Sequence, residues 1–299
     1  MCRMLLCVSP LWFNLAYPIR DAPYSLKVQS YKQNLPGINS DKNKFLRNPK
    51  KNMDGYGVFY INESDLLNCS KSKYSIAYKN THEINKNLEL HLNQDVYYCF
   101  GIIRNNNFKD KIPNRFNHVQ PFRYDNKLFG HNGGFNTKYN EYTPKMISYI
   151  DNKFIKAKLD KPINSMSAHV IDSMWLFGLF ITYVDCSKSD NEIILGVQKI
   201  LSIMDNIKDN DFNISMNVIF SDLDNDVHMG IRYRTCDTMP PSLYYNIDHP
   251  IVGKIISSEP IDYRKNWVLM DDRTMIIIRN DKANVYNINL TEAHCITIN

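Results

Sequence analysis

Apolar residues recur along this chain in two rhythms. Short runs rich in β-branched and aromatic residues, at 57–61, 96–103, 127–131, 216–220, 227–233, 251–257, 267–270, 274–279 and 283–288, predict strands. The run 96–103 is almost continuously apolar, as expected of a strand covered on both faces. The run 127–131 leads into a Gly-rich turn. Between these two groups of strands the rhythm changes. Residues 165–183 are largely apolar and predict a buried helix. Ile193, Ile194, Val197, Ile200, Leu201 and Met204 recur at helical spacing and give a second helix one apolar face. Strands, then two helices, then strands point to an α+β fold with antiparallel sheets. Neither G-x-G-x-x-G nor a P-loop is present to argue for a doubly wound parallel sheet. No internal repeat or clear linker interrupts residues 1–299, so one domain is expected. Residues 33–52 are polar and basic and read as a solvated loop, with a patch for an anionic partner as the alternative.

Composition narrows the class without choosing the chemistry. Apolar residues make up 43% and charged residues 22% of 299, which suits a folded chain rather than a disordered one. A net charge of +5 over this length does not argue for nucleic acid or an anionic membrane. The apolar stretch 174–184 is too short to span a bilayer. The run 1–13 carries Arg3 but is broken by Ser9 and Pro10, and no small-residue cleavage site follows, which disfavours a secretory signal. The seven cysteines are an odd number at wide spacings, with no C-x-x-C pair and no zinc-like Cys/His cluster. Free thiols in a reducing, cytoplasmic compartment are expected.

Four places could carry chemistry. Cys2 would become residue one if Met1 were removed, and its own α-amino group, with a pKa of about 7.7–8.0, would then be a built-in base near neutral pH. A cysteine at this position by chance is the alternative. In Gly130-His131-Asn132-Gly133-Gly134, the Asn132 amide and the Gly133 N–H could stabilise a tetrahedral oxyanion; an ordinary Asn-Gly hairpin turn is the other reading. Arg104 closes the apolar run 96–103, where its planar fork suits either a substrate carboxylate or a structural ion pair. Asp172 could receive a substrate ammonium, or be a carboxylate favoured near a helix N-terminus.

In order, these pieces resemble the class II, N-terminal-nucleophile glutamine amidotransferases. Met1-Cys2-Arg3 is similar to the family's opening M-C-R, and residues 52–58 resemble its N-x-D-G-x-G-V segment. Arg104 falls where its A-H-x-R strand ends, Gly130 to Gly134 looks like its H-N-G-G turn, and Asp172-Ser173 resembles the start of its D-S-E helix. Ser257-Ser258-Glu259-Pro260-Ile261 is similar to its late A-S-E-P-L strand, followed by Trp267. The likeness extends over most of the chain and is nearest to the stand-alone branch, the fungal glutathione-degradation subunit and the bacterial γ-glutamyl hydrolase of ergothioneine synthesis. It implies a four-layer αββα sandwich forming one amidotransferase domain over 1–299. It implies Cys2 as nucleophile, Asn132 and Gly133 as oxyanion hole, Arg104 on the substrate α-carboxylate and Asp172 on its α-amino group. His131 and Ser173, the neighbours within two of those motifs, are the further substrate-binding candidates. No cofactor or metal is implied. The expected ligand is a small γ-glutamyl amide, and a separate synthase or peptidase subunit is the partner class; neither nucleic acid nor membrane is expected. The chain departs from the pattern at Ile102, where the family has His, at His118 and Gln120, where N-x-H becomes H-x-Q, and at Met174, where it has Glu. A descendant that binds a γ-glutamyl ligand or a partner without turnover is the alternative these departures motivate.

Overall fold

The structure, a computed structural model, describes residues 2–31, 54–74, 76, 85–104, 118–135, 148–150, 172–207, 214–234, 241–289 and 295–296. The polar stretch 33–52 and the first part of the expected helix 165–183 lie outside them. In chain order the strands are β1 (Arg3–Asn14), β2 (Tyr56–Asn62), β3 (Leu67–Ser72), β4 (Asp95–Ile103), β5 (Phe122–Tyr124), β6 (Lys127–Phe135) and β7 (Ile214–Asp222). They continue as β8 (Val227–Arg234), β9 (Tyr244–His249), β10 (Gly253–Ser257), β11 (Val268–Leu269), β12 (Thr274–Arg279), β13 (Lys282–Asn287) and β14 (Cys295–Ile296). A π-helical turn, Tyr17–Asp21, precedes the helices α1 (Leu26–Tyr31), α2 (Lys86–Glu89), α3 (Asp172–Tyr183) and α4 (Asp190–Ile207). None of the described helices is long and apolar enough to cross a membrane.

The strands form two antiparallel sheets of seven, ordered β11-β9-β10-β1-β4-β2-β3 and β14-β13-β12-β8-β7-β6-β5. Side-chain alternation along each strand sorts residues into three apolar layers. On the outer face of the first sheet, Leu5 and Cys7 of β1, Val58 of β2 and Cys99 of β4 pack with Ile19, Leu26 and Leu88 of the helical segments. Between the sheets, Met4, Leu6, Phe100, Ile102 and Ile256 of the first meet Leu128, Ile219 and Ile276 of the second. On the outer face of the second sheet, Met216, Val218, Phe220 and Met229 meet Leu176 and Phe180 of α3 and Ile194, Val197 and Leu201 of α4. Three buried interfaces make four layers, αββα, as the resemblance implied.

Most strands match the periodicity. β1 does not stand out in it, because both its faces are covered and its side chains do not alternate between apolar and polar. Ser9 and Pro10 fall where its pairing with β4 is interrupted, between Val8 and Phe13. The expected Gly-rich turn after 127–131 is instead strand. β6 runs on to Phe135, with Asn132, Gly133 and Gly134 opposite Asn217, Met216 and Ser215 of β7. The hairpin reading of Asn132-Gly133 is thereby excluded.

One buried carboxylate ties the first sheet to its helical layer. His249 Nδ1 accepts the N–H groups of Ile251 and Val252 at 3.3 Å each. Its proton therefore sits on Nε2, which donates to Asp262 Oδ2 at 2.9 Å. Trp267 Nε1 donates to Asp262 Oδ1 at 2.9 Å, Arg264 Nε to Oδ2 at 2.7 Å and the Tyr17 hydroxyl to Oδ2 at 3.4 Å. Burial opposes ionisation of Asp262, but bonds donated by Trp267, His249 and Arg264 outweigh it and hold the carboxyl below the usual range. A carboxyl depressed by folding contributes stability at pH values above its unfolded pKa, and that stability is lost as pH falls through the folded value. The resistance of the wild type to urea should therefore weaken below about pH 4. Asp262→Asn should lose about 1–3 kcal/mol near neutral pH and show a shallower acid dependence.

Candidate functional site

The ladder of the first sheet sets the candidate residues side by side. Arg3 pairs with Ile103, and Tyr56 pairs with the same Ile103. One antiparallel step further brings Cys2 opposite Arg104, with Gly55 on the other side. The backbone carries the pairing of β4 past Ile103 as a bulge, with Asp54 and Gly55 together opposite Arg104. The Arg104 N–H donates to the Gly55 carbonyl at 2.8 Å, and the Asp54 N–H donates to the Arg104 carbonyl at 3.1 Å. Alternation turns even-numbered residues of β1 and β4 inward, since Met4, Leu6, Phe100 and Ile102 all lie in the inter-sheet layer. Cys2 and Arg104 share that face. Cys2 is half-buried and packs against the layer.

The strand end that carries Cys2 is pinned by the late Ser-Ser-Glu segment. The Met4 N–H donates to Ser258 Oγ at 3.0 Å, and the Ser258 N–H donates to the Met4 carbonyl at 2.9 Å. Ser257 Oγ donates to the same carbonyl at 3.3 Å. Glu259 faces Arg3 at 3.8 Å and accepts from Ser242 Oγ at 3.2 Å. The sequence likeness of 257–261 thus corresponds to a support for the first residues of β1.

The second sheet supplies the facing groups from β6. Leu128 and Gly130 lie on its inner face, so Asn132 shares it. Asn132 is 1% exposed, and neither its carbonyl oxygen nor its amide nitrogen has a hydrogen-bond partner among the described residues. A buried amide left this way costs about 1–3 kcal/mol, which favours a ligand or transition state that satisfies it. His131 points to the opposite face, where its Nδ1 lies 2.9 Å from Ser173 Oγ at the start of α3. The His131 N–H donates to Gln120 Oε1 at 2.6 Å, away from β7. Alternation turns the Gly133 N–H the same way, along an edge of β6 that β5 leaves uncovered beyond Phe129. An added Cβ at Gly133 would stand 1.9 Å from the Ser215 carbonyl oxygen and 2.9 Å from His131 Nε2, so only glycine fits.

Asp172 opens α3 beside this edge. Its Oδ1 accepts the Ser173 N–H at 2.8 Å, and its Oδ2 comes within 3.9 Å of where a Gly134 Cβ would be. Electrostatics tie the two sheets together. Burial draws the Arg104 guanidinium's proton affinity down, while Cys2, Asp54 and Asp172 act on it in the opposite sense. Burial likewise lowers His131, partly offset by Asp172, which favours a neutral imidazole at neutral pH. All the sequence-derived site residues, Cys2, Arg104, His131, Asn132, Gly133, Asp172 and Ser173, therefore belong to one region. Two others were not given roles by the sequence. Asp54 is buried beside Arg104, and Gln120 links His131 to Ser173; their motif positions were the available signal. Among the described residues no group of three His, Cys, Asp or Glu side chains could hold a metal ion.

Comparison with solved structures follows the same geometry. A glutamine aminotransferase class-II domain protein from Silicibacter pomeroyi matches with a TM-score of 0.60 at 16% identity, over 96% of this chain and 100% of that one. The chain has the fold of that class-II domain. An allosteric regulatory enzyme of purine biosynthesis matches with a TM-score of 0.50 at 13% identity, over 97% of this chain and 50% of that one, so this chain spans half its length. No protein-family model and no curated protein matches the sequence.

The clash at Gly133 gives a direct test of this β6–β7 packing. Gly133→Ala should lower thermal stability by roughly 1–3 kcal/mol, because backbone rather than a flexible side chain blocks the methyl group. Differential scanning calorimetry of the two proteins reads the loss.

Proposed function

We propose that the chain is a class II glutamine amidotransferase domain, spanning 1–299, that hydrolyses the side-chain amide of glutamine or a γ-glutamyl peptide. One observation carries this reading. Cys2, Arg104 and Asn132 lie on inward faces at one end of the inter-sheet layer, with the field of Asp172 reaching the same guanidinium and a buried Asn132 amide that no described residue satisfies.

In this reading Met1 is removed, and the freed α-amino group of Cys2 takes the thiol proton. The thiolate attacks the γ-carbonyl carbon, forming a C–S bond and a tetrahedral oxyanion. Asn132 Nδ2 and the Gly133 N–H donate to that oxygen, where fixed donors are worth most. The C–N bond breaks as the α-ammonium returns its proton to the leaving amine. Water then attacks the γ-glutamyl thioester, its proton passes to the same amine, and glutamate leaves with the thiol restored. Arg104 grips the α-carboxylate in bidentate fashion, and Asp172, with His131 and Ser173 beside it, receives the α-ammonium. Asp54 keeps the Arg104 guanidinium from being an uncompensated buried charge before substrate arrives. The supply of ammonia to a synthase, or service as a subunit of a peptidase, would be added by a partner chain.

Intact mass spectrometry after incubation with an electrophilic glutamine analogue tests the whole reading at once. The wild type should lack Met1 and gain one adduct, and Cys2→Ala should gain none. Retained Met1 with no adduct would overturn turnover and leave a γ-glutamyl binder, detectable by calorimetric titration with glutamate. Arg104→Lys should raise KM for the γ-glutamyl amide by about tenfold or more, because a point charge cannot reproduce the two-pronged contact.

A further inference from the structure

Gln120 joins three layers of the fold at the candidate site. Its backbone carbonyl is seated on Gly57 of β2, so closely that a Cβ there would lie 2.2 Å from the oxygen. Its side chain crosses to the other sheet. Oε1 accepts the His131 N–H at 2.6 Å, and Nε2 donates to Ser173 Oγ at 3.2 Å. Ser173 Oγ in turn lies 2.9 Å from His131 Nδ1 and 3.3 Å from Asp172 Oδ1. Gln120 is 3% exposed.

We propose that Gln120 is a positioning residue, which fixes the open edge of β6 and the start of α3 relative to each other. The inference rests on the function proposed above for its catalytic consequence, but not for its physical content. β5 covers β6 only as far as Phe129. The Gln120 amide takes the next outward N–H, that of His131, as a strand carbonyl would. The following outward donor is the Gly133 N–H, which is left for the oxyanion. The same amide spends its two hydrogen-bonding ends on different elements: the acceptor on β6, the donor on the hydroxyl beside Asp172. One planar group thereby sets the spacing between the oxyanion donor and the ammonium acceptor. A residue with only one of these functions would hold one element and release the other.

The chemistry separates these ends. Gln120→Leu keeps the approximate volume and removes both bonds. Gln120→Glu keeps an acceptor for the His131 N–H and loses the donor to Ser173. Backbone amide hydrogen exchange at residues 131–134, read by NMR, reports the edge directly in each protein. Steady-state hydrolysis of a γ-glutamyl anilide reports the oxyanion. Gln120→Leu should exchange faster at 131–134 with protection across β7 and β8 retained. Its kcat should fall about 100-fold with KM within about threefold, since a displaced oxyanion donor acts on the transition state rather than on binding. Gln120→Glu should retain protection at His131 and lose less kcat, which keeps the test valid if the leucine variant does not fold. Unchanged exchange at 131–134 in folded Gln120→Leu overturns the proposal, as does unchanged kcat in an active Gln120→Leu or Gln120→Glu enzyme. If the wild type neither hydrolyses the anilide nor takes the electrophilic label, the functional reading fails by itself, and the exchange data alone decide whether Gln120 holds the edge.

Discussion

The contact of Phe100 and Ile102 with Gly130 fixes how the two sheets face each other. A Cβ on Gly130 would lie 2.3 Å from Ile102 Cδ1 and 2.9 Å from Phe100 Cζ, so the β4 side chains occupy the space that glycine leaves open. Burying side chains of this size contributes about 1.5–3 kcal/mol each relative to exposure, and interiors at this density resist sliding. Two residues further along each strand come Arg104 and Asn132. The distance across the candidate site is therefore set by apolar packing, not by its polar groups. Cys2 inherits the same spacing through its place opposite Arg104.

Three of the four departures from the pattern that the sequence resembles take on separate meanings in this framework. Ile102, where the family has His, is a packing residue between the sheets. Met174, where it has Glu, lies partly buried against the apolar layer under α3 and α4. Gln120, where it has His, remains polar and makes two side-chain hydrogen bonds. Two of the changes thus exchange polarity for contact area, whereas the third retains a hydrogen-bonding hub. Departure from a pattern by residue type does not by itself mean loss of the site.

Much of the architecture was legible because both periodicities are strong where one face of an element is exposed or the run is long. α4 shows its buried stripe, and β4, β7, β8 and β12 stand out as apolar runs. β1 was not legible as a strand, since its apolar residues serve two layers and Ser9 and Pro10 interrupt it at the irregular pairing. Asn132-Gly133 misled in a different way. A local Asn-Gly pair favours a turn, but long-range pairing with β7 overrides that preference. The site residues could be nominated because each is chemically conspicuous at its place in the chain. What the chain order could not convey is the register, Cys2 against Arg104, and the tie through Gln120, because both arise from residues that lie about a hundred positions apart or on separate layers.

The strands that bound the two sheets, β11, β3, β14 and β5, have two, six, two and three residues. Short margins of this kind give another chain little to pair with, a common defence against aggregation through sheet borders. The part of β6 beyond Phe129 is a different kind of margin. It offers outward-facing amide hydrogens over a few residues only, the first already capped by Gln120. Such a length is too small to recruit a neighbouring polypeptide strand, yet it suffices for a single oxygen atom.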